Sequence, residues 1–497
     1  MTDLCLHTAI ELAGMLRRRE VSAREVIAAH IDRIERHDAV VNAVVTRTFE
    51  RATAQAAAAD EELAHGRVTG LLHGLPVAHK DLAETAGVRT TFGSPLFADN
   101  VPARDALVVQ RMAAAGAISL GKTNVPEWGS GSHTVNPVFG ATRNPWALDR
   151  TAGGSSGGAA AALAARMVCL ADGSDLGGSL RNPAGFCNVV GLRPSPGRVP
   201  AWPLSDVEDQ LSTAGPMART VADTALLLAV QSGPDPRIPM ALDQPAPAIV
   251  DPAGVPGLLT TDLRGLRVAW SPDLGLPVEP EVLEVLAPAR AVLAGLTGSV
   301  TDKAPDLRDA DQIFRTFRWY RSLSLYAELA CESPRQLGRN KGFDVERGLE
   351  LTLADLSRAA SRRAALAERV SEFLAGADVL ACPVSQVAPF DVTLDWVHEI
   401  NGQEMTTYLD WMASAYLISV TGLPAISVPA GFTPDGRPVG LQLVGRRRGD
   451  WDLLALAHAF EAATGYTTRF LTSRSAHRRA RPAEGTGSAS KVTGCTG

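Results

Sequence analysis

From Ser22 onward the chain sets Val26, Ile27, His30, Ile31 and Ile34 three and four residues apart, with charged residues between them. That is the period of a helix with one buried face. Ser22-Ala23-Arg24-Glu25 in front of it is a capping box, so the helix start is written into the sequence. On this pattern the first 65 residues read as helices. The period then changes. Leu75-Pro76-Val77-Ala78 is a short unbroken apolar run, which predicts a buried strand delivering His79, Lys80 and Asp81 to its end. Residues 105–115 predict a helix, and Ala117-Ile118-Ser119-Leu120 another short strand. Further strands are expected at 266–270, 379–383, 425–429 and 441–444, with helices between the first two and a closing helix over 451–463. Alternation of this kind predicts an α/β layered fold.

Between 129 and 200 the pattern breaks down into Gly, Ser, Asn and Pro, interrupted only by an alanine-rich helix over 158–166. A stretch this long inside a folded chain is too large for a turn and points to function. Phe186, Val189, Val190 and Leu192 within it read as buried, which argues against a linker. Residues 235–257 are Pro-rich and predict a surface connection, while the Arg-, Ser- and Gly-rich tail from 473 is expected to be disordered. No internal repeat is visible. The expected organisation is one domain over 1–472, with N-terminal helices 1–65, a core 66–235, a variable middle segment 236–375 and a C-terminal part of the core, 376–472.

Composition narrows the function. Of 497 residues 45% are hydrophobic and 21% charged, which is globular, and a net charge of −6 disfavours coating a nucleic acid. Six cysteines without a C-x-x-C pair exclude zinc-ribbon and redox motifs and fit free thiols in a reducing cytosol. Asp3, His7 and Glu11 occupy the place of a signal peptide's apolar segment, and runs such as 159–165 fall short of the roughly 20 residues a membrane helix needs. The expectation is a cytoplasmic protein, monomeric or homodimeric, with no membrane or nucleic-acid partner, no metal and no cofactor.

Two motifs match by letter only. Gly116 to Thr123 fits G-x-x-x-x-G-K-[ST], but a P-loop needs a strand before it and a helix after it, and here the motif itself is strand-like. Gly153-Gly154-Ser155-Ser156-Gly157 fits G-x-S-x-G, but Asp149-Arg150-Thr151-Ala152 before it does not read as a buried strand and no acid–histidine pair stands out downstream.

Amide chemistry asks for an activated nucleophile, a proton acceptor and donors for the oxyanion. Asp175-Leu176-Gly177-Gly178-Ser179 places a serine directly after two glycines, where several backbone N–H groups can converge on one point. Gly153 to Gly158 places serines at the mouth of the alanine-rich helix. Lys80 and Lys122 each follow an apolar run, and position alone does not choose between them as the base.

Together these segments resemble the amidase signature family, whose hallmark is Gly-Gly-Ser-Ser-Gly-Gly, a helix, then Gly-Thr-Asp-x-Gly-Gly-Ser-x-Arg. The second element reads Gly173-Ser174-Asp175-Leu176-Gly177-Gly178-Ser179-Leu180-Arg181 here, and the two serines stand 24 residues apart, the family spacing. Ser174, Leu176 and Leu180 are the departures. Val77-Ala78-His79-Lys80-Asp81 matches the context of the family lysine, which selects Lys80. The likeness continues through Gly121–Asn124, Thr142–Trp146, Gly191-Leu192-Arg193-Pro194, Gly422–Ala425 and Pro438-Val439-Gly440-Leu441-Gln442, about 5 to 470 in all. It implies a large mixed β-sheet core covered on both faces by α-helices. It implies a catalytic set of Ser179 as nucleophile, Ser155 after a cis peptide bond as proton relay, and Lys80 as base. Backbone N–H groups of Leu176, Gly177, Gly178 and Ser179 would form the oxyanion hole, with Ser156, Asp175 and Arg181 in support. Gly129 and Ser130 would line the substrate site.

The resemblance implies a small-molecule amide substrate, aryl or alkyl, with carbamates close behind. Trp128, Phe139, Trp319, Tyr320 and Trp411 are candidates for an apolar wall or for the core. A second reading is the A subunit of a glutamyl-tRNA amidotransferase; Asn124-Val125-Pro126-Glu127-Trp128 departs from the Asn-Met-Asp-Glu-Phe usual there. A third, a catalytically silent binding protein, would need none of Lys80, Ser155 and Ser179.

Overall fold

The computed structural model describes residues 3–469 apart from 204, 205, 208, 210 and 333–336. The tail beyond 473 lies outside the described residues. Strands β1 (Val44–Arg47), β2 (Pro76–Lys80), β3 (Ile118–Thr123), β4 (Leu170–Asp175), β5 (Val190–Arg193) and β6 (Thr213–Ala218) come from the first half of the chain. Strands β7 (Arg267–Trp270), β8 (Ser299–Asp302), β9 (Val379–Pro383), β10 (Ala425–Phe432) and β11 (Pro438–Val444) come from the second. All join one sheet, in the order β1-β3-β2-β4-β6-β5-β10-β11-β9-β7-β8. The middle is antiparallel from β4 to β9, while β3-β2-β4 and β9-β7-β8 are parallel.

Helices cover both faces. They are α1 (Ala9–Arg17), α2 (Ala23–Val41), α3 (Phe49–Ala64), α4 (Leu107–Ala114), α5 (Gly157–Ala164), α6 (Arg181–Cys187) and α7 (Val221–Gln231). After α8 (Val255–Leu258) follow α9 (Pro280–Leu296), α10 (Ala310–Glu332), α11 (Arg339–Leu349), α12 (Leu353–Gly376), α13 (Ala413–Ser419) and α14 (Asp450–Thr464). α2 starts at the predicted capping box, with both reciprocal bonds made, and ends on Asn42 in the left-handed region. Its stripe of Val26, Ile27, His30 and Ile34 is buried, and each aliphatic in it contributes roughly 1.5–3 kcal/mol by leaving water.

The structure corrects the pattern in two places. The first 65 residues also carry β1, an edge strand. More tellingly, the Gly- and Ser-rich stretch holds the centre of the sheet: β4 and β5 lie within it, with β6 just beyond, and α6 joins α5 as a second helix. These strands lack apolar alternation because neighbouring elements press on them too closely for side chains. A Cβ at Gly173 would stand 2.7 Å from Ser156 Oγ, and one at Gly215 2.4 Å from the Leu192 carbonyl oxygen. Every residue of α5, Gly-Gly-Ala-Ala-Ala-Ala-Leu-Ala, is buried. A second apolar cluster gathers Phe314, Trp411, Met412 and Tyr416 over the second half of the sheet. Cys5, Cys169, Cys187 and Cys382 are buried free thiols; the side chain of Cys331 and all of Cys495 lie outside the described residues.

Candidate active site

β2 runs two residues further than its apolar run, so His79 and Lys80 belong to the strand and, by its two-residue period, point to opposite faces. His79 Nδ1 meets Asp172 Oδ1 at 2.7 Å. Lys80 Nζ donates to Ser155 Oγ at 2.8 Å and to Ser174 Oγ at 3.1 Å. The side chain is 1% exposed. Burial pushes its ammonium down to about 7, against the pull of Asp175 and Asp172 in the other direction. Lys122, the rival by position, sits on β3 and donates to the Ala83 carbonyl oxygen and to Thr85 Oγ1. It is occupied in holding the chain after β2, and the P-loop match around it is a strand.

Ser155 follows a cis peptide bond from Gly154. Backbone here is clamped from residues 132–134: Ser132 Oγ donates to the Gly154 carbonyl at 2.7 Å, and Thr134 Oγ1 to that of Gly153 at 2.7 Å. Ser156, predicted as a supporting residue, donates its N–H to the Ser179 carbonyl at 3.1 Å and so ties the two serine segments together. Its hydroxyl is buried without a partner among the described residues.

Ser179 lies between β4 and α6, on the turn after Asp175. Its hydroxyl carries no hydrogen bond among the described residues and, with Ser155 and Ser174, lines a cavity of about 270 Å³. The four amides expected for the oxyanion do not all qualify. Gly178 N–H is already given to Asp175 Oδ1 at 2.8 Å, which removes it from the set. Leu176, Gly177 and Ser179 keep amides with no acceptor among the described residues. Gly178 is required for another reason: its φ is +113°, and a Cβ there would stand 2.6 Å from that of Ala415.

Asp175 is the hub of this turn. Its carboxylate also accepts from Leu180 N–H at 3.1 Å and from Arg181 Nε at 3.0 Å and Nη2 at 2.9 Å, while Arg193 Nη1 approaches at 3.4 Å. Burial opposes its ionisation, but the Arg181 and Arg193 guanidiniums prevail and hold the carboxyl well below the usual range. Arg181 reaches on to the Ala415 carbonyl, Ser419 Oγ and Gln442 Oε1, fastening the turn to α13 and β11. All three charges are fully buried. Asp175→Ala is therefore expected to cost about 3–5 kcal/mol, because two buried guanidiniums lose their counter-ion. A urea midpoint unchanged from wild type would show that this cluster does not hold the turn.

Gly129 and Ser130, expected near the substrate, do line the cavity. A Cβ on Gly129, whose φ is +65°, would stand 3.5 Å from Ser155 Oγ. Of the proposed aromatic wall, Trp128 lines this cavity, packed with Phe92 and Tyr326 at ring-centroid distances of 6.2 and 5.2 Å. Trp411 lines an adjoining cavity of about 370 Å³, whereas Phe139, Trp319 and Tyr320 line neither.

Sequence reasoning missed Ser174, Arg193 and Gln442 as site residues, although each lies inside a segment that carried the resemblance. It also missed Arg318, Arg321 and Lys341, which α10 and α11 bring to the cavity from the variable middle segment. Nothing in their local sequence marks them. Among the described residues no group of three His, Cys, Asp or Glu is placed to hold a metal ion, and no helix is long and apolar enough to cross a membrane.

The amidase family model matches residues 25–454. An acylamidase of Rhodococcus erythropolis is 37% identical over 471 residues, 93% of this chain and 97% of that one. The A subunit of the glutamyl-tRNA(Gln) amidotransferase of Moorella thermoacetica is 37% identical over 494 residues, 94% of this chain and 98% of that one. The crystal structure of a bacterial aryl acylamidase of the amidase signature family superposes with a TM-score of 0.85 at 28% identity, over 96% of this chain and 99% of its own. The sheet, the serine-bearing turns and these relatives agree: this chain belongs to the amidase signature family of amide-hydrolysing enzymes.

Proposed function

We propose that the protein is a free-standing serine amidohydrolase acting through an acyl-enzyme on Ser179. Ser179 Oγ attacks the amide carbonyl while its proton passes to Ser155 Oγ, whose own proton passes to neutral Lys80 Nζ. Amides of Leu176, Gly177 and Ser179 hold the oxyanion. Collapse of the tetrahedral intermediate returns the proton through Ser155 to the leaving nitrogen, and the amine departs. Water then adds to the acyl-enzyme with the same relay taking its proton, and the acid is released with Ser179 restored. The observation that carries this reading is the 2.8 Å contact of a buried, lowered-pKa lysine with a serine lining the cavity that Ser179 also lines.

The substrate is an aryl or alkyl amide, or a carbamate by the same acyl chemistry. Trp128, Phe92 and Tyr326 offer it an apolar wall. The amidotransferase reading is supported by relatives of equal identity. Against it, no Asp or Glu is among the described residues lining the cavity, so glutamine's α-ammonium would face Arg318, Arg321 and Lys341 without a counter-ion. The protein alone, given acyl anilides, aliphatic amides, carbamates and glutamine, is expected to release aniline or amine from one of the first three. Cleavage of glutamine alone would favour the amidotransferase reading. Failure to hydrolyse any of them and to bind a fluorophosphonate would favour a silent protein.

A further inference from the structure

Ser130, Gly131 and Lys341 line both the 270 Å³ cavity and its 370 Å³ neighbour, and so stand at the junction of the two. Two donors there are left over. Ser130 Oγ is buried with no hydrogen-bond partner among the described residues. Lys341 is 5% exposed, and its ammonium has one hydrogen bond, to Ser322 Oγ at 3.3 Å, and lies 4.7 Å over the Tyr326 ring.

The nearby carboxylates are paired with other groups. Asp344, one turn along α11, forms an ion pair with Arg318, whose Nη2 lies 2.9 Å from Oδ2, and its Oδ1 accepts from the Tyr408 hydroxyl at 2.7 Å; Oδ2 has no hydrogen bond among the described residues. Asp209 is held by Arg321 Nε at 2.6 Å. In the larger cavity, Glu127 accepts from Ser94 Oγ at 2.7 Å and Asp395 pairs with Arg339. Lys341 forms no ion pair among the described residues, and it shares its cavity with two further guanidiniums. Burial together with Arg318 and Arg321 pushes its ammonium down to about 7, against Asp344 alone. An ammonium buried without a counter-ion is costly, and the usual remedy is a carboxylate that accepts a charge-assisted bond.

We propose that Lys341, with Ser130 Oγ, anchors a carboxylate carried by the amide substrate, so that the enzyme selects amides bearing an anionic group remote from the scissile bond. This rests on the hydrolase reading and adds its substrate class. The carboxylate sits at the junction, the scissile carbonyl lies at Ser179, and the apolar remainder lies along Trp128 and Phe92.

The test compares two anilides, glutaranilic acid and butyranilide, which differ by one carboxylate. Wild type is expected to favour glutaranilic acid in kcat/KM, and Lys341→Met to lower that preference by roughly 10- to 100-fold, with Lys341→Arg retaining most of it. Binding of both anilides to Ser179→Ala, by calorimetry, reads the same preference without turnover. A wild type that binds and cleaves the neutral anilide better, or a preference unchanged in Lys341→Met, overturns the anchor. Loss of turnover with the binding preference intact would instead strike at the hydrolase reading. Should Lys341→Met fail to fold, free glutarate inhibiting wild type no better than glutaramide would overturn the proposal as well.

Discussion

Ser179→Ala is expected to lower kcat/KM for the best amide by about 10⁴-fold or more, the size of loss that follows removal of a hydrolase nucleophile. The hydroxyl has no hydrogen-bond partner among the described residues and lies in the cavity wall, so its loss leaves no donor stranded and no packing void in the core. The variant should therefore melt within about two degrees of wild type, as a change remote from core packing does. Covalent labelling by a fluorophosphonate should disappear with it. The small residual rate should still exceed the uncatalysed one, since the backbone amides of positions 176, 177 and 179 all remain in place to meet an oxyanion. Wild-type activity in Ser179→Ala would mean that another group attacks the carbonyl.

Lys80→Met is expected to cost about 10³-fold or more in kcat, with a far smaller change in substrate binding. Lys80 touches Ser155 and Ser174 rather than lining the cavity that holds Ser179, so its contribution falls on proton transfer. Its titration gives a second readout. The ammonium is lowered to about 7 in the folded protein, so the base is protonated and idle below that pH and free above it. The wild-type rate should rise on crossing neutral pH and then level off on the alkaline side. Lys80→Met should lose that limb along with the rate. A wild-type profile flat from about pH 6 to 10 would exclude Lys80 as the base.

Much of the site was legible because its chemistry sits in short segments. Gly153 to Gly158 and Gly173 to Arg181 each carry their own backbone requirements, and turns of that kind are local in origin. Lys80 was chosen by the resemblance and not by physics, because Lys80 and Lys122 follow similar apolar runs. The fate of the Gly178 amide was also hidden: a glycine pair announces converging N–H groups without saying which of them the preceding aspartate will take.

By itself, then, the sequence determined the helix stripe and cap of α2, the strands β2, β3, β7, β9, β10 and β11, and the two serine segments. All of these depend on residues within a few positions of one another. Tertiary structure alone decided the rest. β4, β5 and β6 form the centre of the sheet although glycines and polar residues interrupt their apolar positions, since at Gly173, Gly191 and Gly215 neighbouring segments approach too closely for a side chain. Lys80 meets Ser155 across 75 positions, and Arg181 meets Gln442 across 261. The unpaired ammonium of Lys341 arises only when α11 is laid against α10 beside the cavity. Which charges are buried together, and which is left without a partner, is a property of distances in space that no spacing along the chain encodes.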